Sequence, residues 1–164
     1  DKRIIFQPRA SVVAHVDPQE IKQVILNLVV NALDSMDAGG TLRIDARMTG
    51  GKAEMTFRDD GCGMSPEVLE NIFEPFFTRR RSGKGTGLGL SISHRIINQH
   101  HGEITATSPG EGLGSTFIVR LPTQSQSPRR DQGVPEPSRG RHPVGDFIGA
   151  MGDSGAKENG NSSN

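Results

Sequence analysis

The sequence has no tryptophan, no tyrosine, a single cysteine and no net charge. Without Trp or Tyr, a flat ligand cannot be held by stacking on those rings. A lone Cys62 excludes an internal disulfide. Set among glycines in DDGCG, it reads as a small filler residue rather than a nucleophile. Lys plus Arg and Asp plus Glu each total 19, so the balance points to neither a nucleic-acid partner nor direct membrane contact. No apolar run approaches the roughly 18 residues needed to span a bilayer, and no signal peptide opens the chain. Asp1 rather than Met stands first, as expected of a piece of a longer protein.

What is present divides near Pro122. Residues 123–164 hold 7 Gly, 4 Pro and 6 Ser, with few large apolar side chains. Such a composition buries too little surface to offset the entropy of ordering, and predicts a disordered C-terminal tail. Residues 1–122 alternate strand and helix signals. RIIFQ and SVVAHV read as strands. Asp17 caps a helix that has Pro18 at its first position and runs to about Met36. TLRIDARM and AEMTFRD follow as strands, then a short helix near PEVLENIF. A helix over 89–101 comes next, and GEITATS and STFIVRL close the domain. A layer of helices on one face of a mixed sheet fits this order. Phe73, Phe76 and Phe77 are expected to pack the base of the glycine-rich loop against the core.

Four segments carry the chemistry. In QVILNLVVNALDSM, Asn27 and Asn31 lie one helical turn apart and project from one face. Ile21, Val24, Ile25, Leu28 and Ala32 form another face. A neutral amide oxygen on a rigid helix can take one position on a Mg²⁺ otherwise held by phosphates and waters. Taken alone, such a pair more often serves hydrogen bonds to nearby loops. Asp59 ends a strand, where its carboxylate can accept a hydrogen bond from an amino group. Gly61 and Gly63 suit a turn that lets backbone approach a flat ligand. RSGKGTGLGL places glycine at every second position and runs straight into an amphipathic helix, whose free N–H groups suit phosphate. Two common phosphate motifs are excluded. Around Gly83-Lys84 a P-loop requires Gly at 78 and Ser or Thr at 85, where this chain has Thr78 and Gly85. The dinucleotide fingerprint fails because Leu88 stands where its third glycine belongs.

Together the segments resemble the catalytic, ATP-binding domain of bacterial sensor histidine kinases, within the GHKL superfamily that also holds gyrase and ATP-driven chaperones. The resemblance spans residues 3–122. QVILNLVVNALDSM matches the N box, DDGCG the first glycine box, FEPFF the F box and GTGLGL the second glycine box. GLGSTF matches the last conserved turn and strand. Each box is a weak signal; five in order are specific. FEPFFT before a short basic lid is similar to the nitrogen-regulation type. The fold implied is α+β, a Bergerat-type α/β sandwich with a mixed, mostly antiparallel sheet and helices on one face.

The resemblance implies that Asn31 ligates Mg²⁺ and that Asn27 supports the phosphate side, both as catalytic residues. It implies that Asp59 binds the adenine amino group, with Thr116 nearby through water, and that Gly61 and Gly63 shape the adenine pocket. Lys84, Gly85, Thr86, Gly87, Leu88 and Gly89 would form the lid segment over ATP, and Arg79, Arg80, Arg81 or Lys84 could reach the γ-phosphate. ATP and Mg²⁺ are the implied cofactors. The implied partners are the dimerisation and phosphoacceptor domain of the same protein and a response regulator receiver domain, in the cytoplasm. ATP-hydrolysing relatives carry a Glu base where this chain has Asn27, which favours a kinase. Asp34 stands where many histidine kinases have Lys, so a phosphate contact is lost there. None of His15, His94, His100, His101 or His142 has the acidic neighbour expected of a phosphoacceptor. The alternatives are an ATP-driven conformational switch, an anti-sigma-type serine kinase and a non-catalytic nucleotide module.

Overall fold

A computed structural model describes residues 1–8, 11–78 and 86–123. The tail expected beyond Pro122 therefore lies, from residue 124 on, outside the described residues. Among the described residues, five strands and three helices follow the order β1 (Arg3–Pro8), α1 (Pro18–Ser35), β2 (Thr41–Thr49), β3 (Lys52–Asp59), α2 (Pro66–Asn71), α3 (Gly89–Gln99), β4 (Glu103–Thr107) and β5 (Ser115–Pro122). The sheet runs β1-β2-β3-β5-β4. β1 and β2 pair in parallel and every other pair is antiparallel.

Alternation along the strands sorts side chains by face. Leu42, Phe57, Phe117 and Val119 point to the core, where α1 supplies Ile21, Val24, Leu28 and Ala32 and α3 supplies Ile96 and Ile97. The 3.6-residue period of α1 thus lies on the period-2 face of the sheet, which makes the two-layer sandwich. Asp17 starts α1: its Oδ1 accepts from Gln19 N at 2.7 Å and Glu20 N at 3.2 Å, and Pro18 follows it. Among the described residues no helix is long and apolar enough to cross a membrane.

Four expectations need correction. SVVAHV is not a strand. Val12, Ala14 and Val16 do alternate, but they pack on the core from an extended segment that joins no ladder. α3 stops at Gln99 rather than residue 101, because His101 turns into the left-handed region (φ 55°) and Gly102 N–H reaches back to the Ile97 carbonyl. Phe73 packs on the core, but Phe76 is 74% exposed. Its φ of 65° swings the ring outward while its N–H donates to the Gly87 carbonyl at 3.0 Å. Cys62 is exposed rather than a filler, since the turn aims its backbone inward at Ser35 and its side chain outward.

Candidate functional site

α1 and α3 pack side by side on the core face of the sheet. Asn27 joins them. Its Nδ2 donates to the Gly89 carbonyl at 3.1 Å and to Ser93 Oγ at 3.2 Å, and Ser93 Oγ donates to the same carbonyl at 2.9 Å. Ser93 is completely buried. Asn27 therefore clamps the first turn of α3, the turn that follows the glycine-rich segment. Asn31 stands one turn further along α1 and is half-buried. Its side chain makes no hydrogen bond among the described residues, leaving a neutral amide turned to no protein partner.

The same helical stripe continues to Ser35, four residues on. Ser35 Oγ donates to the Ala32 carbonyl at 2.9 Å and to Asp59 Oδ1 at 3.2 Å. Asp59, only 6% exposed, also accepts from Gly61 N–H at 2.9 Å. Burial pushes its carboxyl above the usual carboxylate range. Hydrogen bonds from the Gly61 and Ser115 backbones and the Ser35 hydroxyl pull against that, while the Asp60 charge adds to it. Sequence reasoning missed Ser35. The signal was available, because positions 27, 31 and 35 share one i, i+4 stripe.

The neighbouring aspartate has a different task. Asp60 Oδ1 accepts Thr41 N–H at 2.8 Å and fixes the turn to the start of β2. The turn is pinned on its other sides by Cys62 N–H to the Ser35 carbonyl (2.9 Å), Gly112 N–H to the Cys62 carbonyl (2.7 Å) and Gly114 N–H to the Gly61 carbonyl (3.0 Å). Ser108, also missed from sequence, accepts Met64 N–H at 2.9 Å and donates to the Gly114 carbonyl at 2.7 Å. Gly63 takes a φ of 61°, and a Cβ there would run into the Gly110 carbonyl oxygen. Gly61 is closed in by Ser35 in the same way. Both glycines are thus required by backbone contact inside the protein itself.

Register separates Thr116 from Asp59. Asp59 pairs with Ser115, whereas Thr116 pairs with Arg58 on the opposite face of the sheet. The hydroxyl on the Asp59 side at that level is Ser115. Just before α3, Gly87 (φ 65°) holds its carbonyl against Phe76 N–H; a Cβ there would approach Phe76 C to 2.6 Å. Thr86 Oγ1 accepts Leu88 N–H at 3.4 Å, and the first turn of α3 has no side-chain cap bond. Lys84 and Gly85, with Arg79, Arg80 and Arg81, lie outside the described residues. The described residues hold no cluster of three or more His, Cys, Asp or Glu suited to a metal ion. A single amide such as Asn31 fits only an ion that phosphate oxygens and waters mostly ligate, which is the habit of Mg²⁺.

Residues 16–125 match the family model described as histidine kinase-, DNA gyrase B- and HSP90-like ATPase. The two-component sensor PprA of Pseudomonas aeruginosa is 41% identical over 122 residues, covering 70% of this chain and 13% of the relative. The signal transduction histidine-protein kinase AtoS of Escherichia coli is 40% identical over 111 residues, covering 67% of this chain and 18% of the relative. The chain thus spans less than a fifth of these two relatives. The nucleotide-free catalytic domain of the histidine kinase ThkA superposes with a TM-score of 0.66 at 33% identity, covering 74% of this chain and 80% of that one. Full-length ShkA in complex with AMPPNP gives 0.65 at 25% identity, covering 74% of this chain and 25% of that one.

Proposed function

Because the chain belongs to the histidine kinase-, DNA gyrase B- and HSP90-like ATPase family, and is an ATP-binding catalytic domain of the sensor histidine kinase kind, we propose that it passes the γ-phosphoryl group of ATP to a histidine on a separate helical dimerisation domain. The phosphoryl group then goes to a response regulator receiver domain. The reaction belongs to the cytoplasmic side, where ATP is supplied. The domain comprises residues 1–122, and the tail takes no part in the transfer.

The observation that supports this reading best is the division between the two asparagines. Asn27 is spent on holding α3, which leaves the start of that helix fixed for phosphate oxygens. Asn31 keeps its amide free, one turn away. Asp59 sits at the other end of the stripe and receives the adenine amino group, with Ser35 and Gly61 N–H holding the carboxylate still. Bound Mg²⁺, held by Asn31 and the phosphates, would neutralise phosphate charge. Positioning does the rest. The unprotonated imidazole nitrogen forms a bond to the γ-phosphorus as the bond to the ADP oxygen breaks. With Asn27 in place of a Glu base, water is poorly activated as a competing nucleophile.

The test is incubation with γ-labelled ATP. The chain alone should bind ATP without labelling itself or turning ATP over rapidly. Adding the matching helical domain should yield acid-labile, base-stable label on that domain. Rapid labelling of His94, His100 or His101 would overturn the reading, and fast turnover would favour an ATP-driven switch.

A further inference from the structure

The helices cover one face of the sheet; across the other, no described element packs. Two rows of residues on that open face are built from the same strands and treated oppositely. In one row Glu54, 1% exposed, lies between Arg47 and Arg120, at 2.6 Å and 2.7 Å. Arg120 also meets Glu103 at 3.4 Å. Burial alone would push the Glu54 carboxyl up; the two guanidinium groups outweigh it and hold the group below the usual range. Charge in this row is closed.

Four residues along the same strands, about 13 Å away, Arg43 stands in direct register with Arg58. Both are exposed, and neither has a hydrogen-bond or ion-pair partner among the described residues. Asp45, two residues from Arg43, is itself partnered, yet neither arginine pairs with it. Like charges directly opposed weaken a ladder, and one substitution would remove the conflict, as Glu54 does in the neighbouring row. Thr116 stands beside Arg58 in the ladder, and half-buried Ile118 is the next residue of β5 on the same face, across from Thr56.

We propose that Arg43 and Arg58 are the docking point for an acidic protein, whose Asp or Glu carboxylate takes between them the place that Glu54 takes between Arg47 and Arg120. A guanidinium fork binds a carboxylate bidentately, and a half-buried apolar centre beside a charged rim is the anatomy of a protein interface. Nucleic acid fits less well. The chain is neutral overall, and Glu54 and Glu103 share the face.

The test is anisotropy titration of fluorescent poly-L-glutamate with the full 164-residue chain at low and moderate salt. The double substitution Arg43→Ser with Arg58→Ser should weaken binding about tenfold or more, leave ATP affinity unchanged and leave the melting temperature equal or higher. Arg43→Lys with Arg58→Lys should retain part of the binding. Arg58→Glu should abolish it and raise the melting temperature, because Arg43 gains its missing partner. Arg95→Ser, an exposed arginine on α3, should change nothing. The proposal fails if the double Ser variant binds as the parent does, if it melts lower, or if Arg95→Ser has an equal effect. It also fails if duplex DNA or phosphatidylserine vesicles bind more tightly than poly-L-glutamate at the same residues.

Discussion

Asn27 and Gly89 are 62 residues apart in the chain and are joined by a 3.1 Å hydrogen bond from Asn27 Nδ2 to the Gly89 carbonyl. The bond ties the helix bearing both asparagines to the first residue of the helix that follows the glycine-rich segment. Asn31, one turn away, has no such partner among the described residues. Two residues of one type on one stripe are therefore expected to fail in different ways.

Asn27→Ala removes two donors and leaves Ser93, fully buried, with one partner fewer. It should cost about 1–3 kcal/mol of unfolding stability and weaken ATP binding as α3 loosens. Urea unfolding checks the first effect and calorimetric titration the second.

Asn31→Ala should do the reverse. With no side-chain hydrogen bond to lose among the described residues, its unfolding midpoint should stay close to that of the parent. Loss of the amide oxygen should weaken Mg·ATP binding by about 1–3 kcal/mol, with a smaller loss for ATP measured in EDTA. Equal losses with and without Mg²⁺ would remove Asn31 from the metal.

Asp59 has a carboxyl raised above the ordinary value of 3.8 by burial. Its contribution to stability is therefore full in acid, below that value, and is lost as pH rises through the raised folded value. An Asp59→Asn chain lacks this loss. Its melting temperature should match or trail the parent in acid and gain on it toward neutral pH. Its preference for ATP over GTP should fall roughly tenfold, since an amide can also donate. Titration with both nucleotides checks the selectivity, and a melting series across pH checks the sign.

Glu54 goes the other way, being held below its ordinary 4.5 by Arg47 and Arg120 against the burial that would raise it. Its stability is present above that value and lost as pH falls through the lower folded value. Glu54→Gln should cost about 2–3 kcal/mol at neutral pH, less than a fully buried pair because Arg47 is half exposed. The difference from the parent should shrink in strong acid. Urea unfolding at neutral and acid pH measures both.

The sequence by itself determined the helix that bears Asn27 and Asn31, because cap, proline and apolar period all act within a few residues of one another. It determined all five strands of the sheet by their alternation, and it determined the family, because five boxes stand in order. Tertiary structure alone decided where those parts meet. SVVAHV has the alternation of a strand, but alternation says which side is apolar and not whether a neighbouring edge is there to pair with. Phe76 has the composition of a core residue, and a single left-handed φ turned it to solvent. Thr116 and Ser115 are adjacent hydroxyls, and only ladder register put Ser115 on the Asp59 side. Asn27 looked like half of a matched pair until packing of α3 occupied its amide. The placing of Ser115 and the occupation of Asn27 rest on contacts between residues dozens of positions apart, and Phe76 is held by its contact with Gly87, none of which local propensity encodes.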